Sequence, residues 1–336
     1  MREFFREIAH ALEAGEPVEL VTILSSGGST PRGAGAMMAV FADGRAAGTI
    51  GGGSVEFEAQ KTAAALLPSG GECRKSFRFV QGEAASLGMV CGGDVTLQFQ
   101  YLPGGDPGAI AVMRDLVEAD GRSADTWLVL RFQGERVAAM GTADRAGTRH
   151  LDASPAELEA LLGNRAVLRE DWFAAPAVRA GRTYVFGGGH VSRALVPVLS
   201  GVGFRPVVYA DRPEFADPAL FPAAEGVLCG DFTDLARQVT VTADDYVVVM
   251  TRGHQADYEV LTQVLRSGAR YLGCIGSKRK LALCRDRLLQ AGFTPEEYAR
   301  LHAPIGLAIG AQTPEEIAVS VAAEMIAVRA GLNPRR

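Results

Sequence analysis

Two runs of glycine precede predicted helices, and glycine loops in that position are suited to holding an anion. Residues 51–53 are all glycine and lead through Ser54 into residues 55–67, which have helical composition. Such a loop presents backbone N–H groups at the positive end of the helix dipole, so the pattern is typical of phosphate binding. The structural alternative is a tight turn in which Ser54 caps the helix. Arg32, in the preceding Gly/Ser-rich loop, fits either a second phosphate ligand or a solvated charge.

The second run, GGGHVS at residues 187–192, follows a short apolar strand. It matches G-x-G-x-x-G with Ser192 at the third position, where a small residue lets the helix pack on the strand. The next strand ends in Asp211, about 20 residues further on, where a ribose-binding acid belongs. The pattern therefore predicts a dinucleotide-binding turn. Asp211 slightly favours NAD over NADP, and the neighbouring Arg212 weakens that inference.

Polar residues also follow two further apolar strands, at residues 245–250 and 269–275. The first strand leads into Thr251 and His254, with Asp257 three positions on. His254 and Asp257 fit an acid–base pair, a metal pair, a pair that hydrogen-bonds a ligand, or an ordinary surface pair. The second strand leads into Ser277, Lys278, Arg279 and Lys280. These residues suit a phosphate at a helix start, or a solvated helix face.

Cys91 is the cysteine whose setting most resembles a ligand site. It lies at a glycine-flanked bend, LGMVCGGD, before an alternating strand at residues 95–101. It is a candidate ligand for a soft metal or for sulfur, or else a small buried hydrophobe. The five cysteines are odd in number, scattered and without a C-x-x-C pair, which favours reduced thiols over disulfides or structural zinc.

The elements around these residues indicate an N-terminal α+β part and a C-terminal α/β part. A helix is predicted at residues 4–13, a strand at 17–24, a loop at 25–35 that is too rich in Gly and Ser to be an element, and a hairpin at Asp43-Gly44. The C-terminal half alternates apolar strands and helices, which predicts a Rossmann-like parallel sheet with helices on both faces. Its last helix begins with the capping box TPEE at residue 313.

The expected division is an N-terminal domain at residues 1–105, a connecting α+β segment at 106–178 and a Rossmann-like domain at 179–336. A chain of 336 residues, 48% hydrophobic and 22% charged, is long enough for more than one core. No apolar run reaches the roughly 20 residues of a membrane span, and the N-terminus lacks the order of a signal peptide, so we expect a soluble cytoplasmic protein. A net charge of −5 without basic blocks argues against a nucleic-acid partner.

Taken together, these motifs resemble the XdhC/CoxI family of maturation factors. The matching stretches are GSTPR (28–32), GTIGGGSVE (48–56), CGG (91–93), the turn at 187, DRPEF (211–215), TRGH (251–254), IGSKRK (275–280) and PIGL (304–307) through residue 316. They follow the family's order over nearly the whole chain except its middle. Many relatives carry cysteine where this chain has Ser54, and a hydroxyl cannot supply a soft thiolate.

The resemblance implies a homodimeric chaperone that binds molybdenum cofactor, as molybdopterin or its dinucleotide, and assists its insertion into apo xanthine dehydrogenase or a related molybdenum hydroxylase. A cysteine desulfurase is a further implied partner, although Ser54 puts the sulfuration role in doubt. Cys91 is then the candidate near the metal, and a cleft between domains is the expected place for the cargo. The rival hypothesis is an NAD(P)-dependent oxidoreductase with Asp211 on the ribose and His254 as acid–base.

The candidate cofactor-binding residues are those at the glycine loops and strand ends. They are Arg32, Gly51, Gly52, Gly53, Ser54, Glu56, Gly187, Gly188, Gly189, His190, Ser192, Asp211, Arg212, Thr251, His254, Ser277, Lys278 and Arg279. No catalytic residue is predicted under the chaperone hypothesis.

Overall fold

A computed structural model describes residues 1–28, 30–78, 93–119 and 125–334. The chain forms two compact units, Met1–Ala180 and Gly181–Arg336, each with its own core. The three-part division expected from the sequence stays a prediction. None of the helices in the described ranges has both the length and the apolar character that a bilayer crossing requires.

The first unit begins with a five-stranded antiparallel sheet in the order β3-β2-β1-β5-β4. Its elements are α1 (Arg2–Glu13), β1 (Val18–Gly28), β2 (Met37–Phe41), β3 (Ala46–Gly48), α2 (Gly53–Leu66), β4 (Cys73–Arg78), β5 (Gly93–Leu102) and α3 (Pro107–Glu118). Alternation along β1 divides its side chains between two cores. Val21 and Ile23 pack with Ala59 and Ala63 of α2, whereas Leu20 belongs to the core that faces α1 and α3.

A second antiparallel sheet, in the order β8-β7-β6-β10-β9, completes this unit. Its elements are β6 (Thr126–Gln133), β7 (Arg136–Asp144), β8 (Gly147–Arg149), α4 (Pro155–Leu161), β9 (Val167–Arg169) and β10 (Trp172–Val178). Leu128 and Leu130 of β6 share one hydrophobic core with Val18 and Leu20 of β1. The two sheets are therefore joined by a common core.

The second unit is a six-stranded parallel sheet in the order β13-β12-β11-β14-β15-β16. Its elements are β11 (Arg182–Phe186), α5 (His190–Gly201), β12 (Arg205–Ala210), β13 (Gly226–Cys229), β14 (Tyr246–Val249), α6 (His254–Val264), β15 (Tyr271–Cys274), α7 (Lys278–Gln290), α8 (Pro295–Ala299), β16 (Leu301–His302) and α9 (Pro314–Arg329). The strand order reverses between β11 and β14, which makes their carboxyl ends the switch point where such sheets bind ligands.

Helices cover both faces of this sheet, as predicted. Leu261 of α6 and Leu288 of α7 pack on one face, while Leu199 of α5 and Val321 of α9 pack on the other. The capping box of α9 is confirmed, since Thr313 Oγ1 accepts a hydrogen bond from the Glu316 N–H and the Glu316 carboxylate accepts one from the Thr313 N–H. The predicted Rossmann-like fold of the C-terminal half is therefore confirmed.

The loop predicted at residues 25–35 is wrong at its beginning. Strand β1 continues to Gly28, which pairs with Gly93 of β5 across a register shift near Ile23. The side chains of this Gly/Ser-rich stretch have low strand propensity, but backbone hydrogen bonds to β5 hold it in the sheet. The hairpin predicted at Asp43-Gly44 is present as the antiparallel pair β2–β3.

Among the described residues, both units contain a buried glutamate whose pKa departs far from its ordinary value. Glu19 on β1 is fully buried, and neither carboxylate oxygen has a hydrogen-bond partner among the described residues. Burial, and then the nearby charge of Glu72, raise the pKa of Glu19 to about 8. Glu324 on α9 is also buried, but hydrogen bonds from His302, Tyr271 and the Gly306 N–H outweigh the burial and lower its pKa to about 2.

Candidate functional site

The turn after β11 consists of three glycines, and neighbouring backbone approaches the first two too closely for a side chain. Gly187 has a φ of +112°, and a Cβ there would lie 2.4 Å from the carbonyl oxygen of Met250. A Cβ on Gly188 would lie 2.2 Å from the carbonyl oxygen of Phe215. A Cβ on Gly189 would meet nothing within 4 Å. The turn is thus packed on two sides and open at Gly189, where α5 begins.

The segment after β12 passes beside this turn and brings a carboxylate and a guanidinium to it. Asp211 is exposed and lies 3.7 Å from Nε of Arg212. The Arg212 guanidinium also lies 4.2 Å from the centre of the Phe215 ring and 3.4 Å from Glu214. Asp211 and Arg212 therefore form a charged pair beside the glycine turn, with Phe215 beneath the guanidinium.

A pocket of about 350 Å³ opens at this edge of the sheet. Its lining residues are Gly187, Gly188, Gly189, His190, Asp211, Arg212, Phe215, Phe232, Met250, Thr251 and Arg252. Seven of these were predicted from the sequence as ligand contacts, and they come from both sides of the switch point. The pocket combines aromatic surface with cationic side chains, the Asp211 carboxylate and the glycine turn at the start of α5, which suits a phosphate-bearing ligand that has a flat ring.

Asp257 is engaged inside the protein and does not pair with His254. Its Oδ1 accepts hydrogen bonds from the Thr251 N–H at 3.1 Å and from Thr251 Oγ1 at 2.5 Å. Its other oxygen forms an ion pair with Lys280. His254 is exposed at the first position of α6, and it has no hydrogen bond to Asp257 within the part of the chain that the structure describes. The acid–base dyad that the spacing suggested is therefore not formed by these two described residues.

The other residues predicted at the strand ends lie outside the pocket lining. Ser277 caps α7 by accepting a hydrogen bond from the Lys280 N–H, while Lys278 and Arg279 are exposed on its first turn. Ser192 is buried in α5, with its hydroxyl unpartnered among the described residues. It serves the close packing that the motif requires at this position.

In the first unit, the glycine loop before α2 already holds a carboxylate. The side chain of Glu56 accepts hydrogen bonds from Thr49 Oγ1 at 2.5 Å, from the Ile50 N–H at 2.9 Å and from the Gly52 N–H at 3.0 Å. Partial burial by itself raises the pKa of Glu56, but these hydrogen bonds outweigh it and lower the pKa. The Gly51 N–H donates to Thr49 Oγ1 at 3.0 Å. The predicted phosphate cradle therefore contains an anion supplied by the chain itself.

Two further predicted residues, Arg32 and Ser54, lie beside this loop. The stem of Arg32 packs on Gly51, since a Cβ there would lie 3.4 Å from Arg32 Cγ, and its head is exposed. Ser54 Oγ is buried and meets no hydrogen-bond partner among the described residues. Cys91 lies outside the described residues. Of the other cysteines, Cys274 is buried, and burial raises the pKa of its thiol.

Comparison with known proteins assigns both units. Residues 11–78 match the model described as the XdhC and CoxI family, and residues 183–325 match the model described as the XdhC Rossmann domain. Together these matches cover more than half of the chain. The chain belongs to the XdhC/CoxI family. The resemblance inferred from the sequence motifs is thereby confirmed.

Three curated relatives of this XdhC/CoxI protein were found by sequence. An uncharacterized protein YqeB of Escherichia coli is 27% identical over 326 residues, which are 97% of this chain and 46% of that protein. A Bacillus subtilis protein named as a probable subunit of xanthine dehydrogenase is 31% identical over 148 residues, 44% of this chain and 43% of that protein. The chain thus spans less than half the length of these two relatives. The molybdenum cofactor insertion chaperone PaoD of E. coli is 25% identical over 98% of this chain and 88% of PaoD.

A solved structure described as a xanthine dehydrogenase from Bacillus halodurans resembles the XdhC/CoxI chain over nearly its whole length. The TM-score is 0.75 at 27% identity, and the match covers 96% of this chain and 95% of the other. The overall architecture of both units is therefore shared with an experimentally determined protein.

Sequence reasoning missed several contacts in this XdhC/CoxI protein. Phe215 belongs to the DRPEF stretch that carried the resemblance, so its place four residues after Asp211 was an available signal. Phe232 and Met250 have no such signal, because an apolar residue in a strand or turn reads as core. The hydrogen bonds between the Glu56 carboxylate and the glycine loop before its own helix were also missed. The available signal was an acid in the first turn of a helix.

Proposed function

We propose that this chain binds molybdenum cofactor, as molybdopterin or its dinucleotide form, and assists its insertion into xanthine dehydrogenase or a related molybdenum hydroxylase. Family membership supports a role in molybdenum cofactor maturation, and PaoD, which this chain matches over 88% of its length, is named as an insertion chaperone. A cysteine desulfurase and a second copy of the chain are further proposed partners.

The observation that carries the proposal is the open end of the glycine turn in the second unit. Gly189 faces free space at the start of α5, so the terminal phosphate or pyrophosphate of the cargo can approach the N–H groups there. His190 and Arg252 supply donors around the same pocket. Phe215 and Phe232 offer surfaces for a planar pterin or base. The residues present thus fit a phosphate-bearing, ring-containing cofactor.

The residues that follow β14, next to this pocket, favour holding a cargo over turning over a substrate. A general base needs a partner that fixes its orientation and tautomer, and His254 has none in Asp257, whose carboxylate bonds Thr251 and Lys280. A chaperone requires only contacts that are strong enough to retain the cofactor and weak enough to release it.

The experiment is cofactor uptake followed by transfer. The purified chain is incubated with molybdenum cofactor, separated from free cofactor, and analysed by absorbance and mass spectrometry. We expect stoichiometric binding, and then activation of an apo molybdenum hydroxylase to which the loaded chain is added. Absence of any bound pterin species at excess cofactor would contradict the proposal.

An NAD(P)-dependent oxidoreductase is the second candidate, and Asp211 is the observation that favours it. Its carboxylate stands at the end of β12, where such enzymes bind the ribose. Arg212 pairs with that carboxylate, which reduces its freedom to accept from a ribose hydroxyl. Calorimetry with NAD and NADP, and loss of a dehydrogenase rate in His254→Ala, would decide in favour of the enzyme. We expect neither.

A further inference from the structure

The glycine loop at residues 51–53 has the local sequence of an anion site but not free donors. Three groups converge on one carboxylate, because Thr49 Oγ1 and the N–H groups of Ile50 and Gly52 bond Glu56, while the Gly51 N–H bonds Thr49 Oγ1. These are the groups that a phosphate entering the loop would use. An external anion would therefore have to displace a carboxylate that is tethered to the same helix.

Displacement of this carboxylate is costly for two reasons. Hydrogen bonds to an ionised acceptor are among the stronger ones in proteins. The tether also keeps the local concentration of the carboxylate high, so a free anion competes against an intramolecular ligand. Arg32 packs its stem on Gly51 and exposes its head, and it does not take the place of Glu56.

We propose that Glu56 is a positioning residue that fills the anion site of this loop, fixes the loop's shape and excludes free phosphate from it. Resting on the proposed function, it follows that the phosphate of the cargo is bound at the open turn around Gly189, and that the loop at residues 51–53 serves the cofactor through its fixed backbone surface instead. This reassigns one of the two phosphate cradles that the sequence predicts.

The test measures binding of inorganic phosphate by calorimetry in a Gly189→Val background, which removes the turn of the second unit as a competing site. Glu56→Ala empties the loop, and we expect phosphate binding at one new site, with an affinity about tenfold or more above that of the background. Glu58→Ala is the matched control. It removes the same charge from the same helix, and Glu58 has no side-chain hydrogen bond to this loop among the described residues.

Unchanged phosphate binding in a folded Glu56→Ala variant would overturn the proposal. If that variant does not fold, the unmodified chain provides the answer through amide NMR. The signals of Ile50 and Gly52 should stay unperturbed as phosphate is added, whereas saturable shifts of these two amides would show that phosphate enters the loop. Neither measurement involves molybdenum cofactor, so failure of the proposed function and failure of this assignment are distinguishable.

Discussion

Of the three glycines after β11, the fold requires the first two, whereas the third leaves space for a ligand. Gly187 has a left-handed backbone and a carbonyl oxygen against it, and Gly188 lies under the carbonyl of Phe215. A side chain at either position would have to move backbone. Gly189 has an ordinary φ, and a Cβ there would meet nothing within 4 Å. The fold therefore does not require glycine at this position, and the absence of a side chain leaves room for the ligand that we place there.

Gly189→Val is therefore expected to block the pocket without disturbing the fold. Its branched side chain would project toward the start of α5 and reduce cofactor uptake by at least about tenfold, roughly 1.4 kcal/mol. Gly201→Val is the control, since it places the same side chain at the other end of α5, where a Cβ also meets nothing within 4 Å. Calorimetry and thermal melting of both variants make the comparison. Equal uptake by the two would remove the ligand from this turn.

Cys91 remains the candidate for contact with the metal or its sulfur ligands. With serine at position 54, it is the cysteine of the N-terminal part that stands within a family motif. We expect Cys91→Ser to lower retention of the cofactor, because a hydroxyl is a poor ligand for a soft metal centre. Cys73→Ser, in β4, is the matched control. Retention is measured by molybdenum content after gel filtration, and equal retention in the two variants would return Cys91 to a packing role.

At the scale of elements, Asp257 ties three segments together. It belongs to α6, bonds the backbone and side chain of Thr251 after β14, and forms an ion pair with Lys280 of α7. These contacts hold the loop that forms one wall of the pocket. The acid that looked like half of a catalytic pair is therefore a structural element of the sheet edge.

Asp257→Ala should destabilise the second unit by about 2–4 kcal/mol, because it leaves a partly buried ammonium and a buried N–H without their acceptor. Asp286→Ala, an exposed acid on α7, is the control, and we expect it to change stability by less than about 0.5 kcal/mol. Urea unfolding of both variants gives the comparison. A loss below about 1 kcal/mol for Asp257→Ala would mean that the sheet edge is held by other contacts.

The sequence predicted those elements whose signal is local. The strand, glycine turn and helix at residues 182–201, the acid after the next strand, and the capping box at Thr313 all follow from residue types at fixed spacing. The extension of β1 to Gly28 was not predictable, because its partner strand β5 lies far along the chain. The contacts of Glu56 and Asp257 were missed for a related reason. In the sequence, an acid that will bind a ligand cannot be distinguished from an acid that will accept hydrogen bonds from the protein's own backbone.

At the scale of the whole molecule, the two units should respond to pH in opposite directions. Glu19 has a folded pKa of about 8, raised above its ordinary value. Its contribution to the stability of the first unit is therefore complete below about pH 4.5 and is lost as pH rises toward 8. Glu324 has a folded pKa of about 2, so its contribution to the stability of the second unit is present above about pH 4.5 and is lost as pH falls toward 2. Each term is on the order of a few kcal/mol.

The tryptophans allow this prediction to be tested on one unit at a time. The chain contains two, Trp127 and Trp172, and both lie in the first unit, so their fluorescence reports the unfolding of that unit. Glu19→Gln should abolish most of the loss of its stability between pH 5 and 8. Glu324→Gln should leave the fluorescence transition unchanged and flatten the acid dependence of the second unit, followed by hydrogen exchange. A fluorescence midpoint with the same pH slope in Glu19→Gln would contradict the assignment.

The packing of α5 against α9 has a consequence for the order of events during synthesis. The glycine turn sits at the start of α5, yet Leu195, Val196 and Leu199 of that helix are buried with Val321, Ala322 and Met325 of α9, which leave the ribosome more than a hundred residues later. Until α9 emerges, α5 alone covers this face of the nascent sheet, and the buried side of α5 lacks the partner on which it packs. We expect the second unit to become competent for its ligand only after α9 has been translated.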